Sequence, residues 1–402
     1  MSSPLPHVSS GSNSPILLLP VEITAKIFTT CLPTLSSKSR PIPWPSPRAA
    51  PLLLAQICRQ WRDLSLGMPT LWTSICFVAP SRQLLELWLS RAGNLPLTIL
   101  LVTSDESRAR MFMEAVIPYC SRWKEARLTL PLSAVLQLNM MPFPLLEQLT
   151  VFTVGNNIWA ADDLFIIRDA PLLRFADISI FPQVDLPFEQ LNTLRVGKSG
   201  VPQTIAILQR CPDLLDLACA YAGVGDQSTT YLPVELRSLR SLTAVDKRIL
   251  PFLTVPRLER LDIAGNIRAG DLQSLISRSS CDLRVLCVQI CRTPAPHLEP
   301  LLRVATSVVH LQLQGEGIES QIFRDTNILP KLEFLEIRDP TRIVLPRIRH
   351  SLNPQSHTWR FREAAARSDD DYRALADMLW WRQAHGSLRS FQLSLGPAAP
   401  FP

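Results

Sequence analysis

A leucine pattern recurs along most of this 402-residue chain and limits what it can fold into more than any other feature. The pattern is Leu-x-x-Leu-x-Leu or a close apolar equivalent. Alternating apolar residues predict a strand with one buried face, and a repeated strand predicts units that stack on one another. The pattern begins at twelve positions: Leu97, Trp123, Leu146, Leu173, Leu191, Leu214, Leu239, Leu258, Leu283, Val308, Leu332 and Leu388.

The spacing of these starts is close to that of a known repeat. Most neighbouring starts lie 23 to 27 residues apart, with two shorter steps of 18 and 19 and a last interval of 56. The unit from Leu258 continues to Asn266, and the unit from Leu283 reaches Cys291 at the same place. The chain therefore resembles the leucine-rich-repeat family. Most units lack this Asn or Cys, whose side chain bonds to neighbouring backbone, so we predict an irregular solenoid.

The segments between the predicted strands suit helices. Residues Arg82 to Arg91 and Asp370 to Arg382 each carry apolar residues at helical spacing. Strand and helix in alternation predict an α/β fold, with a leucine-rich-repeat-like solenoid over residues 78–395 and a tail over 396–402. Asp369 to Asp371 suit helix capping better than metal binding. The alternative is a compact α/β domain with a parallel sheet, which has no need of a leucine pattern at every strand.

The region before the repeats contains a short predicted helix. A Ser-rich tail over residues 1–14 is predicted to be disordered. Pro20 suits the first turn of a helix, where its missing N–H would have no intrahelical partner. Ile23, Ile27 and Phe28 then form one apolar face.

A proline-rich segment separates this helix from the next. Its prolines, over residues 33–51, predict an extended loop. A second helix is expected from Leu52 to Leu66, with Leu54, Ile57 and Trp61 on its apolar stripe. A turn then leads to Trp72, which is expected to be buried.

Together these residues resemble the F-box, in the form found in fungi of the basidiomycete type. The similarity covers residues 16–77 within a predicted domain over 15–77. The loop between the helices is longer than in the commonest F-boxes, and filamentous-fungal members also carry it. The matching residues are Leu19-Pro20-Val21-Glu22-Ile23, Ile27-Phe28, Ile57-Cys58-Arg59-Gln60-Trp61 and Leu71-Trp72.

The resemblance implies docking on the Skp adaptor of a cullin ligase. Two short helices with a wide apolar surface cannot bury that surface alone, which agrees with a docking role. The alternative is that the same residues cap the end of the solenoid. The residues implied in adaptor binding are Leu19, Pro20, Ile23, Ile27, Phe28, Leu54, Ile57, Cys58, Trp61 and Trp72.

The sequence contains no motif typical of an enzyme. It has neither a Gly-rich phosphate loop nor the HExxH or GxSxG patterns of metalloproteases and serine hydrolases. Its nine cysteines form no CxxC pair, and the cluster of Cys281, Cys287 and Cys291 has no histidine at ligand-like spacing. We therefore expect no catalytic residues, cofactor or metal site.

Charge and hydropathy indicate which classes of partner and which cellular compartment suit this chain. The net charge of +6 comes from scattered Lys and Arg residues, which argues against nucleic-acid binding. No apolar run approaches the roughly 18 residues of a membrane span, and the N-terminus does not resemble a signal peptide. We expect reduced thiols and a cytoplasmic or nuclear protein without membrane association.

The strands also predict a binding face. Side chains between the inward leucines point to the opposite side of the sheet. Their mixed charge suits a protein or peptide better than a phosphate backbone, although any one of them is equally well explained as a solvated side chain. The candidate target-binding residues are Arg127, Asp177, Arg195, Arg260, Asp262, His310, Gln312, Glu336 and Arg338.

These expectations combine into one functional hypothesis. The chain is expected to be a substrate-receptor subunit of an SCF-type cullin E3 ubiquitin ligase, with the adaptor at the F-box and an unknown protein substrate on the repeats. The alternative is a repeat scaffold for protein interactions without ligase association. An enzyme of unrecognised type ranks third, and it would need a pocket gathering titratable groups.

Overall fold

A computed structural model describes most of the chain in a series of segments. The predicted tails over 1–14 and 396–402, the whole of the proposed helix from Asp370 to Arg382, and the ladder positions Asn266 and Cys291 lie outside them. The described residues are 15–33, 45–77, 81–154, 164–179, 183–197, 200–219, 232–245, 247–264, 267–290, 298–315, 327–339, 360–361, 384 and 388–395.

Eighteen strands occur in the described residues, and fourteen of them form one sheet in which every pairing is parallel. The strands are β1 Ser74–Phe77, β2 Leu97–Val102, β3 Trp123–Leu130, β4 Gln148–Thr153, β5 Leu164–Ile166, β6 Phe175–Ser179, β7 Gln183–Asp185, β8 Thr193–Gly197, β9 Asp216–Cys219, β10 Val234–Glu235, β11 Ser241–Ala244, β12 Leu253–Thr254, β13 Arg260–Ala264, β14 Val285–Ile290, β15 His310–Gly315, β16 Phe334–Asp339, β17 Arg360–Phe361 and β18 Ser390–Leu395.

The order of the main sheet follows the order of the chain from β1 to β16, and only the last pair, β18 and β17, is reversed. It runs β1-β2-β3-β4-β6-β8-β9-β11-β13-β14-β15-β16-β18-β17, while β5 pairs with β7 and β10 with β12 in two small parallel sheets. Each of the twelve leucine-pattern starts lies at the first residue of a main-sheet strand or two residues before it. The predicted α/β class is confirmed, and the structure shows that its strands form one large parallel sheet.

The α-helices lie before the sheet and in some of its connections. The helix predicted from Arg82 to Arg91 is confirmed, and Ser81 caps it by accepting a hydrogen bond from the Leu84 N–H at 3.3 Å. The helices are α1 Val21–Thr30, α2 Leu54–Ile57, α3 Arg59–Leu66, α4 Arg82–Arg91, α5 Glu106–Val116, α6 Leu132–Val135, α7 Val201–Leu208, α8 Ala269–Ser279 and α9 Leu298–Val304. Short 3-10 helices span Pro15–Leu18, Pro69–Trp72, Ile117–Arg122, Leu136–Leu138, Phe188–Gln190 and Lys247–Phe252.

The expectation of a helix after every strand was wrong for the two shortest units. The described residues between β6 and β8 form β7 and the 3-10 helix Phe188–Gln190, and those between β11 and β13 form the 3-10 helix Lys247–Phe252 and β12. These are the steps of 18 and 19 residues. Such short connections, interrupted by Pro187 and Pro251, leave no room for a multi-turn helix.

The single helix predicted from Leu52 to Leu66 is also corrected. Cys58 has extended backbone angles, φ −156° and ψ 172°, and separates α2 from α3. Its Sγ atom accepts a hydrogen bond from the Trp61 N–H at 3.4 Å, so Cys58 caps the second helix. The apolar stripe continues across this break, which is why periodicity alone suggested one helix.

One continuous core joins the helices to the sheet. The inward side chains of neighbouring strands lie in register, as Leu261, Leu286 and Leu311 do on β13, β14 and β15. The core extends from Phe28 in α1 to Leu388 beside β18. Burial of each such leucine contributes about 1.5–3 kcal/mol, so this apolar row is the main source of the stability of the sheet.

None of the helices in the described part of the chain is both long enough and apolar enough to cross a bilayer.

Candidate binding surfaces

The N-terminal helices pack around aromatic side chains. The rings of Phe28 in α1 and Trp61 in α3 meet edge to face, with centroids 4.8 Å apart. Trp72 is fully buried, donates a hydrogen bond from Nε1 to the Ser65 carbonyl at 2.9 Å, and contacts the Trp88 ring of α4 at 4.7 Å. The expectation that Trp72 is buried is confirmed, and this tryptophan joins the helical unit to the first repeat segment.

The predicted adaptor-binding residues separate into buried and exposed groups. Phe28, Leu54, Trp61 and Trp72 lie in the core, so they cannot present their side chains to a partner without local unfolding. Their contribution is to hold the unit together. The residues with accessible side chains are Leu19, Ile27 and Cys58, which are partly buried, and Pro20, Ile23 and Ile57, which are exposed.

The exposed members are accompanied by other exposed apolar residues of the N-terminal helical region, and we call these residues together the helical apolar surface. Ile23 is 48% exposed and Ile57 is 54% exposed. Both belong to short helices that carry other exposed apolar side chains. The F-box-like motif does not include these other exposed residues, because they lie outside its matched positions or at its variable position. They are Ile16, Leu18, Val21, Leu53 and Leu66.

All nine predicted target-binding residues lie on one face of the main sheet, opposite the inward leucines. The parallel register fixes this placement, because residues paired across neighbouring strands point to the same side. One row of paired positions crosses β3, β4, β6 and β8 as Arg127, Thr150, Asp177 and Arg195. It continues over β13 to β16 as Asp262, Cys287, Gln312 and Glu336. Arg260 and His310 lie in the row on one side, and Arg338 lies in the row on the other.

The polar groups over β13 to β16 bond to one another, and we call them the closed network. Arg260 pairs with Asp262 at 3.0 Å and donates from Nη2 to the Cys287 Sγ at 3.2 Å. The Cys287 thiol donates to the Gln312 Oε1 at 3.0 Å, and the Gln312 Nε2 donates to the Glu336 Oε2 at 2.9 Å. Glu336 accepts in turn from Arg338 at 2.7 Å. The network therefore spans four strands.

The polar groups over β3 to β8 are arranged differently, and we call Arg127, Asp177 and Arg195 the open cluster. Arg127 donates to Glu125 on its own strand at 2.7 Å. Among the described residues, neither Asp177 nor Arg195 makes a hydrogen bond, although the Arg195 guanidinium lies 5.6 Å from the centroid of the Phe175 ring. Burial raises the pKa of Asp177, and the nearby charges of Arg195 and Arg127 only partly oppose this effect.

His310, on the outward face of the sheet, lies beside the aromatic ring of Phe334. The centroids of His310 and Phe334 lie 5.9 Å apart. Burial lowers the pKa of His310, while Glu336 acts to raise it and Arg260 to lower it. The neutral imidazole is therefore favoured near neutral pH.

Sequence reasoning missed several members of this face. Glu125, Phe152, Phe175 and Phe334 occupy outward positions of their strands, and Cys287 was assigned only to the core. The signal was present, because each is an alternate residue of a strand already predicted.

Metal-binding and nucleophilic chemistry find little support in this part of the chain. No group of three or more His, Cys, Asp or Glu residues suited to a metal ion occurs among the described residues. The eight described cysteines are free thiols. Burial raises the pKa of Cys211 and of Cys219 to about 12, and burial also raises the pKa of Cys287. A thiol with a raised pKa is a poor nucleophile.

Comparison with protein-family models and with curated proteins found no match to this chain.

Proposed function

We propose that the chain is a substrate-receptor subunit of an SCF-type cullin E3 ubiquitin ligase. In this proposal residues 15–77 are an F-box that docks on the Skp adaptor, and the following region is an irregular leucine-rich-repeat-like solenoid that holds a protein target. The observation that carries the proposal is the helical apolar surface, in which Ile23 and Ile57 of the F-box-like motif project outward from a buried aromatic core.

The topology supports the solenoid part of the proposal. From β1 to β16 the strands of the main sheet follow one another in chain order, all parallel, and their side chains alternate between an inward and an outward face. A stack of repeat units produces this arrangement, because each unit pairs only with its neighbours. A compact doubly wound domain usually reverses its strand order at a switch point, and no such reversal occurs between β1 and β16.

Exposure supports docking over capping as the role of Ile23 and Ile57. A residue that caps the sheet would be buried against it, as Phe28 and Trp72 are. Several large apolar side chains exposed within one short region of the chain are instead typical of an interaction site. The continuous core from α1 to β18 favours the scaffold alternative to a degree, because it makes the helices a structural part of the sheet. The two roles are compatible, since buried and exposed residues serve them separately.

The mechanism proposed is proximity. The adaptor would fix the receptor to the ligase, and the sheet face would hold a target near the ubiquitin-charged enzyme of another subunit. A high effective concentration of the target lysine supplies much of the acceleration without a catalytic side chain on this chain. The absence of ligase association would leave the repeat scaffold as the function.

Capture by purified Skp adaptor tests the proposal. The double variant Ile23→Ala, Ile57→Ala should lower the affinity for the adaptor by about tenfold or more, because two central apolar contacts are lost. The matched control is Leu87→Ala, Leu145→Ala, which truncates two similarly exposed leucines outside residues 15–77. The control should bind as the unaltered chain does. No capture of the folded, unaltered chain, or an equal loss in both variants, would refute the docking role.

A further inference from the structure

The two halves of the sheet face differ in how much hydrogen-bonding capacity they leave unused. In the closed network, Arg260, Gln312 and Arg338 all donate to neighbouring side chains, and Asp262 and Glu336 accept from them. The Nη donors of Arg338 make no hydrogen bond in this network, and the buried Asp262 Oδ1 has no hydrogen-bond partner among the described residues. However, a partner that bound the atoms already paired would first have to break existing bonds. Such an exchange of equivalent bonds contributes little to affinity.

The open cluster retains its capacity. Within the described residues the Arg195 guanidinium contacts only a ring face and makes no hydrogen bond. Its five N–H donors form a planar fork that matches the two oxygens of a carboxylate. The carboxyl group of Asp177 on the neighbouring strand interacts with Arg195 through charge but does not use these donors.

Space and apolar contact lie beside Arg195. On its β9 side the paired residue is Ala218, and two residues along β8 is Gly197, so small groups line the sheet there. On its β6 side is Phe175, one outward row before Arg195, whereas Phe152, which is 36% exposed, lies two strands away on β4 and one outward row after it. An Arg next to accessible aromatic rings is the composition typical of the central contacts of an interface.

From these observations we infer that the target contacts the face at the open cluster, through a peptide segment that presents an Asp or Glu carboxylate to Arg195 and apolar side chains to Phe175 and Phe152, which lie on opposite sides of the Arg195 row. The inference rests on the proposed use of the sheet face for target binding, and it does not depend on the adaptor. Asp177 positions the arginine by charge. The closed network serves to hold β13 to β16 in register.

Selection from a random-sequence peptide display library on the purified full-length chain tests the inference. Enriched peptides should contain Asp or Glu next to an apolar residue. Arg195→Glu should lower their affinity by about tenfold or more, since a charged hydrogen bond is replaced by repulsion. Arg195→Gln should give a smaller loss in the same direction. The matched control is Arg237→Glu, an equal charge reversal at an exposed arginine off the main sheet, which should leave peptide binding unchanged.

Other outcomes overturn the inference. Enrichment of basic peptides that depend on Asp177, a loss caused by Arg338→Gln but not by Arg195→Glu, or no enrichment at all would each contradict it. Variants are compared only after circular dichroism shows the same fold. Adaptor capture by Arg195→Glu should equal that of the unaltered chain, so failure of target recognition and failure of ligase docking give different results.

Discussion

Two fully buried tryptophans offer a direct measurement of what one hydrogen bond contributes to this fold. The Nε1 atom of Trp72 donates to the Ser65 carbonyl at 2.9 Å. The Nε1 atom of Trp123 is buried and has no hydrogen-bond partner among the described residues. Both rings are 0% exposed and both contact another aromatic ring, Trp88 and Phe143 respectively. The sites are therefore matched in burial and differ in hydrogen bonding.

Replacing each tryptophan with phenylalanine removes the same volume at both sites, so the cavity cost largely cancels in the comparison. Trp72→Phe loses a bond with a net value of about 1 kcal/mol and leaves a buried carbonyl without its partner. Trp123→Phe instead removes an unpaired N–H, whose burial costs about 1–3 kcal/mol. We expect Trp72→Phe to be the more destabilising change by about 2–4 kcal/mol.

Urea unfolding followed by far-UV circular dichroism measures the difference without using tryptophan fluorescence, which both substitutions alter. The free energies of unfolding of the two variants are compared with that of the unaltered chain. An equal loss at the two sites, or a larger loss for Trp123→Phe, would refute the reasoning. It would mean that ring packing outweighs hydrogen bonding at Trp72.

Three further predictions concern the face and the thiols. Gln312→Leu removes the bridge between Cys287 and Glu336 and should lower the free energy of unfolding by about 2 kcal/mol, as measured with urea; a change below about 0.5 kcal/mol would contradict the network. Because burial raises the pKa of Asp177 above its ordinary 3.8, its ionisation opposes folding at higher pH. The stability of Asp177→Asn relative to the unaltered chain should therefore increase as pH rises from about 3.8 through the raised pKa, and a constant difference in urea unfolding would exclude this. Iodoacetamide at pH 8 should modify the exposed Cys31 of the folded chain and spare Cys219, whose pKa is raised to about 12 by burial. Mass spectrometry of the digested protein measures the modification of each cysteine, and faster modification of Cys219 than of Cys31 would contradict the prediction.

The strands of this fold could be predicted because their signal is local. Leu258, Leu261 and Ile263 repeat a spacing that recurs twelve times, and a strand buried on one face is the simplest structure with that period. The outward positions follow from the same alternation. This is why residues as far apart as Arg127 and Arg338 were both placed on the face on which the structure has them.

Other features depend on contacts between distant segments. Leu54 and Ile57 both belong to the same apolar stripe, yet Leu54 is buried and Ile57 is exposed. The break at Cys58, which no proline or glycine marks, separates the first helix from the second. A helical period cannot detect such a break, because the spacing of apolar residues continues through it.

The division of the sheet face into an open cluster and a closed network could not be predicted from the sequence either. Cys287 and Gln312 are 25 residues apart and bond only because β14 and β15 pair in one register. A shift of that register by one residue would place each side chain on the opposite face. Bonding between strands is thus a property of their pairing, whereas the choice of face is a property of each strand alone.

Because the strands from β1 to β16 lie in chain order, the position of a strand in the sequence determines its distance from the N-terminal helices along the sheet. Neighbouring strands lie about 4.8 Å apart, so β8 is roughly 24 Å from β1 along the sheet and β16 is roughly 53 Å from it. Insertion or loss of one unit would move everything beyond it by one strand spacing and leave the contacts within each remaining unit unchanged. Evolution could therefore adjust the reach between the N-terminal helices and a bound partner in fixed increments, without redesigning either surface.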